Sequence, residues 1–290
     1  MTVMIFGCGY SGKAIGKAFA AAGFAVAGTV RTAEGAQALS AYNIKSFIFD
    51  GSGFSDTLLA ALKDVTHLVQ SIPPGRDQDP LLKLVAGRLA ALCPKLEWIG
   101  YLSTVGVYGD HGGGWVDEET PGSPILGRSI ERVDTEEAWA HEGRVAGVPV
   151  AALRLSGIYG PGRNAFVNLD RGSARRIIKR DQVFNRIRVE DIGAACLFLA
   201  ERKLAGIYNV TDDEPCPPQD VVVEAARIMA VEAPPEIDFD TAEMTPMARS
   251  FYGANKRVSN ARLRALGFQF AFPNYRISLA QMWNEDVWRG

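Results

Sequence analysis

Over its first hundred residues the chain alternates short apolar runs with amphipathic helical patterns, and few architectures can absorb such an alternation. Residues 2–6 read as a buried strand. Residues 11–22 read as a helix with Ala14, Ile15, Ala18, Phe19 and Ala22 on one face, closed by Gly23. The pairing repeats as strand 24–30 with helix 33–42, strand 46–49 with helix 54–62, strand 67–71 with helix 80–92, and a fifth strand at 98–103. Strands joined through helices need right-handed crossovers, so the expected fold is α/β, with a parallel sheet covered by helices on both faces.

The rhythm weakens after Ser103. Residues 109–124, rich in Gly, Asp and Pro, read as a long surface loop, and loops of that length are more often functional than idle. A helix at 128–142, a strand at 148–155, a helix at 189–201 and a strand at 206–210 follow. Pro215, Pro217 and Pro218 mark a break before a helix at 219–229, and Pro234-Pro235 mark another. The expected organisation is a first domain over 1–160, to which 189–210 return. A smaller, partly interleaved C-terminal substrate lobe takes 161–188 and 211–290. No internal repeat and no low-complexity segment interrupts either.

Composition narrows the partners. With 47% hydrophobic and 22% charged residues, 290 residues can bury a sizeable core. A net charge of −2 gives no footing for nucleic acid or an anionic membrane surface. No apolar run approaches the roughly 20 residues of a membrane span, and the N-terminus lacks a basic leader and a cleavage site. Cys8, Cys93, Cys196 and Cys216 are scattered and only three histidines accompany them, so no metal site is expected. A reducing, cytoplasmic location is the expectation.

Gly7-Cys8-Gly9-Tyr10-Ser11-Gly12 is G-x-G-x-x-G placed directly between the first strand and the first helix. In that setting Gly7 permits the tight turn, Gly9 lets the backbone approach a pyrophosphate, and Gly12 lets helix and strand pack closely. The helix N-terminus, including Tyr10 and Ser11, offers amides and a positive dipole end to the anion. This makes the sheet a Rossmann-type doubly wound one, with a nicotinamide dinucleotide as its partner. The second strand runs into Gly28-Thr29-Val30-Arg31-Thr32, with no carboxylate to take a ribose 2′-hydroxyl. Arg31 can clamp a 2′-phosphate through its planar fork and Thr32 can add a hydroxyl, so NADP(H) is favoured over NAD(H). Asp50 and Gly51 are placed for the adenine edge. Ser71, Ile72 and Pro73 end the fourth strand on the same carboxyl side of the sheet.

Four segments then carry a family resemblance. They are the glycine turn; Leu102-Ser103-Thr104-Val105-Gly106-Val107-Tyr108-Gly109, similar to S-S-x-x-V-Y-G; Arg154-Leu155-Ser156-Gly157-Ile158-Tyr159-Gly160-Pro161-Gly162, similar to R-x-x-N-V-Y-G-P-G; and Arg188-Val189-Glu190-Asp191-Ile192, similar to H-V-x-D-V. The chain resembles the extended short-chain dehydrogenase/reductase superfamily, its NAD(P)-dependent epimerase/dehydratase group. The resemblance implies Ser103 beside the cofactor and Thr104 as the catalytic Ser/Thr, with Tyr108 as a further candidate. It also implies a Y-x-x-x-K pair on the next helix, and here the chain departs. Ser123-Pro124-Ile125-Leu126-Gly127-Arg128-Ser129-Ile130 puts Leu126 at the tyrosine position and Ile130 at the lysine position. Neither side chain can move a proton. Tyr252-Gly253-Ala254-Asn255-Lys256 has the same spacing but lies far beyond the fifth strand, and reads as chance.

Gly157 stands where the family often has a substrate-binding Asn, and Phe184 where epimerases acting on nucleotide-diphosphate sugars carry a phosphate-binding Arg. Arg186 and Arg188 are close enough in sequence to hold an anion in the substrate lobe. Tyr159 follows a strand on the carboxyl side of the sheet, His111 sits beside Asp110 in the long loop, and Cys8 reads as a small buried filler within the phosphate turn. Trp115, Trp139, Trp283 and Trp288 are expected to cover packing surfaces between lobes. Loss of the Tyr–Lys pair with the glycine turn kept is similar to the atypical branch of the superfamily. Two functions stay open: an NADP(H)-dependent oxidoreductase or epimerase of a small molecule with another proton donor, or a non-catalytic NADP(H) sensor or scaffold. A second copy of the chain is a further expected partner.

Overall fold

The computed structural model describes residues 1–75, 78–125 and 127–290. Leu126, expected at the tyrosine position, lies outside the described residues. The first unit comprises Met1–Val107, Leu126–Leu155 and Ile192–Tyr208. Its strands are β1 (Thr2–Phe6), β2 (Ala25–Val30), β3 (Lys45–Ile48), β4 (His67–Gln70), β5 (Trp98–Thr104), β6 (Val150–Leu155) and β7 (Gly206–Val210). They form one sheet in the order β7-β6-β5-β4-β1-β2-β3. The pairs β1–β2, β1–β4, β2–β3, β4–β5 and β5–β6 are parallel, in registers such as Met4↔Ala27, Met4↔Leu68 and Ile99↔Val150. The chain winds outward from β1 in one direction and from β4 in the other, which makes the β1/β4 junction the switch point of the sheet.

Burial explains the composition of the strands. Val3, Met4, Ile5 and Phe6 are all fully buried, because a central parallel strand has helices over both faces. On one face Met4, Phe6, Leu68, Ile99 and Tyr101 pack with Leu58 and Leu62 of α3 (Asp56–Leu62) and Trp139 of α4 (Gly127–Ala146). Ile15 and Phe19 are among the buried residues of α1 (Tyr10–Ala21). α5 (Val189–Glu201) meets it closely: a Cβ at Gly193 would fall 2.7 Å from the Ala14 carbonyl oxygen.

One expected helix of the first unit changes. The stretch 80–92 forms two single turns, Leu82–Val85 and Leu89–Leu92, because Ala86 (ψ 126°) and Gly87 (φ +67°) leave the helical region between them. The Gly87 amide goes to Glu142 Oε2 at 2.8 Å instead of to a helical carbonyl. Asp79 starts the first of these turns, accepting the Leu81 and Leu82 amides at 2.8 and 2.9 Å, and it also takes the Gln70 side-chain amide at 2.7 Å.

The second unit comprises Tyr108–Ile125, Ser156–Asp191 and Asn209–Gly290. Its strands are short parallel pairs: Gly157–Tyr159 with Arg186–Arg188, Arg176–Ile178 with Glu236–Asp238, and Trp115–Val116 with Arg257–Val258. Its core gathers Phe166, Tyr275, Leu279, Met282 and Trp288. The surface loop expected at 109–124 is stitched down by hydrogen bonds to 255–256. His111 and Gly113 donate to the Asn255 carbonyl at 2.9 and 3.0 Å, Asn255 donates back to Asp110 at 2.7 Å, and Lys256 Nζ donates to the Gly109 carbonyl at 2.7 Å. The tryptophans also depart from expectation. Trp139 lies in the core of the first unit, Trp283 stacks on Trp288 inside the second at 6.0 Å, and Trp115 is 63% exposed.

Candidate cofactor site and the polar cluster of the second unit

The glycine turn is built by its neighbours. β2 holds it from one side, with the Gly7 amide donating to Thr29 Oγ1 at 3.0 Å and the Cys8 amide to the Thr29 carbonyl at 2.8 Å. β4 closes the other. Gly7 has φ +82°, and a Cβ there would meet Ile72 Cγ1 at 2.8 Å, so the position demands glycine twice over. Gly12 lies so close to the turn that a Cβ would come 3.1 Å from the Gly7 carbonyl oxygen. Gly9 is the contrast. Its φ is −86°, and nothing lies within 4 Å of where its Cβ would point.

That open volume faces the start of α1. The helix has no side-chain cap, and its first internal bond runs from the Lys13 amide to the Gly9 carbonyl at 2.9 Å. The Ser11 and Gly12 amides precede that bond, in the turn where helix N–H groups have no internal acceptor. An open approach beside Gly9, uncapped amides and a positive dipole end are what a pyrophosphate requires, so the residues present fit a dinucleotide.

The other expected cofactor residues distribute unevenly. Ser71 and Ile72 continue β4 beside the turn, with the Ser71 amide on the Phe6 carbonyl at 2.9 Å, and Pro73 is exposed. Arg31, at the end of β2, is exposed and has no carboxylate within ion-pair distance among the described residues. Thr32 is engaged elsewhere: it caps α2 (Ala33–Ser40), accepting the Gly35 amide at 3.2 Å. Its hydroxyl also serves Glu34, whose carboxyl is held below its usual range first by its own backbone amide and then by Thr32. The Thr32 hydroxyl is thus committed to the helix start. Asp50 is likewise turned inward on its own loop, accepting from the Ser52 amide and hydroxyl at 2.9 and 2.6 Å, and a Cβ at Gly51 would meet Pro80.

At the end of β5 the two hydroxyls part. Thr104 is half-buried, its Oγ1 accepting the Gly106 amide at 3.1 Å with its own proton left to donate. Ser103, expected beside the cofactor, instead donates to Glu136 of α4 and is 4% exposed. Glu136 also pairs with Arg154 of β6 at 2.8 Å, so a buried serine, carboxylate and guanidinium join β5, α4 and β6. Glu136 was not legible in the sequence. A carboxylate within a polar-faced helix resembles any exposed helix charge, and nothing near it in the chain marks it as buried. Ile130, at the expected lysine position, is exposed on α4. Burial raises the Cys8 thiol to about 11, which suits a filler within the turn.

The second unit contains the remaining candidates. Tyr108 is fully buried and its hydroxyl donates to Asn209 Oδ1 at 2.7 Å, a packing role instead of the catalytic one considered for it. Arg188 is 1% exposed and saturated by Glu190 at 2.6 Å, Ser278 Oγ at 2.8 Å and Gln281 at 3.1 Å, with Phe272 over its face. It braces its own unit and presents nothing to an anion. Arg186 differs. It is half-buried and one nitrogen holds the Phe184 carbonyl at 3.1 Å and Cys216 Sγ at 3.0 Å. Near it the Tyr159 hydroxyl and Asp212 Oδ2 are buried without a hydrogen-bond partner. Burial pushes the Asp212 carboxyl well above its usual range, against the pull of Arg186. His111 rests its Nε2 on the Tyr108 carbonyl at 3.0 Å. Tyr252 and Lys256 serve separate ends of the same loop: Tyr252 packs at a tilt against Phe184 and Phe239, while Lys256 holds Gly109. Among the described residues no cluster of His, Cys, Asp or Glu could hold a metal, and no helix is long and apolar enough to cross a membrane.

Sheet order, switch point and glycine turn together define the class: the chain has a Rossmann-type fold, the one seen in solved epimerase and epimerase/dehydratase-like proteins. Within that class it belongs to one family with a functionally unknown conserved protein from Silicibacter pomeroyi DSS, at 42% identity and a TM-score of 0.88 over 98% of this chain and 99% of that one. Protein YeeZ of Escherichia coli strain K12 is 29% identical over 94% of this chain and 96% of its own length. The fold is shared with the UDP-glucose 4-epimerase of Thermus thermophilus, solved with NAD, at 20% identity, a TM-score of 0.77 and coverage of 100% and 99%. It is shared too with the human epimerase family protein SDR39U1, solved with NADPH, at 16% identity, a TM-score of 0.71 and coverage of 98% and 99%. No protein-family model matches the chain.

Proposed function

We propose that the first unit binds NADP(H) and that the protein is an NADP(H)-dependent oxidoreductase or epimerase whose proton donor is not the usual tyrosine. The observation that carries the reading is the uncapped first turn of α1 opening on the empty side of Gly9. Gly9, Ser11 and Gly12 would hold the pyrophosphate, and Arg31 the 2′-phosphate. When bound, the nicotinamide supplies a hydride donor or acceptor. Thr104 would be the positioning hydroxyl: its oxygen accepts the Gly106 amide, which leaves its proton to donate to a substrate oxygen. Solved proteins of the same fold carry NAD or NADPH, which supports the cofactor class. Arg31, exposed and unpaired among the described residues, supports the phosphorylated form, while the Glu34 carboxylate three residues on opposes it.

Titration of NADPH and NADH by fluorescence tests this. NADPH is expected to bind at least tenfold tighter, and Arg31→Ala to remove that preference through NADPH alone. Equal affinities in the unaltered chain would refute the assignment of Arg31. Turnover of carbonyl compounds and nucleotide sugars, followed at the NADPH absorbance, is expected to fall in Thr104→Val.

One observation favours a second reading, a non-catalytic NADP(H) sensor or scaffold. The position expected for the lysine carries Ile130, exposed and unable to assist a proton transfer. Tight NADPH binding with no turnover over a broad substrate panel is the result that selects it.

A further inference from the structure

A cleft of about 840 Å³ opens wholly within the second unit. Its walls are Ile177, Phe184, Met244, Met247, Phe251 and Tyr252. Phe184 and Phe239 both pack against Tyr252, with ring centroids 5.1 and 5.2 Å away, so three aromatic rings cluster at the cleft. The rim is the opposite. Met247 and Phe251 are 59% and 55% exposed, large apolar side chains left in water around a concavity. Both sit on or beside the turn Pro246–Ser250, started by a Thr245 cap and anchored by Arg249 on the Ala242 carbonyl at 2.8 Å. The depression is broadly open to solvent, and its volume falls within the range of small-molecule sites.

The polar lining is sparse: Arg175, Glu243 and Thr245. Arg175 stands at the cleft with one guanidinium nitrogen fixed on the Glu243 backbone carbonyl, while the Glu243 carboxylate is not its partner. Among the described residues Arg175 has no ion pair. The neighbouring cations are occupied: Arg176 by Glu236 at 2.7 Å, and Lys179 by the Tyr252 carbonyl. The cleft therefore offers one exposed guanidinium, anchored on a backbone carbonyl and without a carboxylate partner among the described residues, beside an apolar bed. A nucleotide diphosphate, with two charged phosphates and a polar sugar, suits neither part.

We propose that this cleft binds a hydrophobic carboxylic acid, its hydrocarbon on Ile177, Phe184 and Tyr252 and its carboxylate on Arg175. A bidentate guanidinium–carboxylate contact supplies orientation and the apolar walls supply affinity. The assignment stands apart from the nicotinamide reading, since every residue it uses lies in the second unit.

The test uses the full chain with cis-parinaric acid, whose fluorescence rises in apolar surroundings, and with its methyl ester. Saturable one-to-one binding of the acid is expected, with the ester at least tenfold weaker. Arg175→Glu should weaken the acid at least tenfold and leave the ester unchanged. Met247→Asp, on the exposed rim, should weaken both, while its NADPH affinity and melting temperature stay those of the unaltered chain. Absence of saturable binding, equal binding of acid and ester, or displacement of the probe by UDP-glucose would each overturn the proposal. So would a concentration-dependent dimer in sedimentation that Phe251→Glu disperses and that excludes the probe, since the cleft would then serve a second copy of the chain. Loss of NADPH binding alone would strike the cofactor reading and leave this one intact.

Discussion

Gly7 and Gly9 are two residues apart and fail in opposite ways when altered. At Gly7 both φ and the Ile72 contact reject a side chain, so Gly7→Ala is expected to cost about 1–3 kcal/mol in stability, measured by urea unfolding. At Gly9 φ is negative (−86°) and nothing lies within 4 Å of a built Cβ, so Gly9→Val should cost less in the unfolding midpoint than Gly7→Ala. Its branched side chain would fill the approach to the α1 amides, and NADPH affinity is expected to fall at least a hundredfold by fluorescence titration. A Gly9→Val chain that binds NADPH normally would place the dinucleotide elsewhere. Lys256 provides a different single-residue test. Burial drops its ammonium from the usual value to about 8, and the nearby Asp110 carboxylate only partly offsets this. The unfolded chain thus holds the proton more tightly than the folded one. The resulting penalty on folding is full below about pH 8 and lifts as pH rises towards the unfolded value, so the group makes stability increase over that window. Subtracting the pH profile of Lys256→Met from that of the unaltered chain should leave this rise, and a flat difference would show an ordinary exposed-like lysine.

Among the elements, three are tied together by the carboxylate of Glu136. Ser103 from β5 and Arg154 from β6 both end on this one α4 side chain, and all three residues are buried. Breaking a buried pair from one side strands the other charge, so Glu136→Gln is expected to lose about 3–5 kcal/mol. Replacing both partners, as in Glu136→Gln with Arg154→Met, should recover much of that loss. Urea unfolding of the two singles and the double gives the coupling; additive losses would mean that the network holds nothing together. The same arrangement explains why Ser103 and Thr104, adjacent and chemically alike, serve different ends. Successive residues of a strand point to opposite faces, so one hydroxyl meets α4 and its neighbour does not.

For the molecule as a whole, the first unit is assembled from three separated stretches of chain. A fragment of residues 1–107 contains the glycine turn and five strands but lacks α4, β6 and β7. Its sheet would end at β5 with an uncovered edge, and the core around Met4, Leu68 and Tyr101 would lack Trp139. The fragment is expected to show no cooperative thermal transition by circular dichroism and no NADPH binding, despite holding every residue assigned to the cofactor. A cooperatively folding fragment would show that β5 can close the sheet by itself.

The parallel sheet and the position of its glycine turn are legible in the sequence alone. Both rest on short-range regularities: a period of two or of 3.6 residues, and glycines where one turn must bend. The strands over 2–6, 98–103 and 206–210 were legible to within a residue for that reason. The direction and employment of polar side chains had to await folding. Thr32 reads as a phosphate ligand and caps a helix, Arg188 reads as an anion site and is saturated by Glu190 and Ser278, and Glu136, which nothing in the sequence marks, is core. A hydrogen bond is governed by which groups come within about 3 Å. Partners 18, 33 or 90 positions apart, as Glu136 is from Arg154, Ser103 from Glu136 and Arg188 from Ser278, meet only once the fold exists.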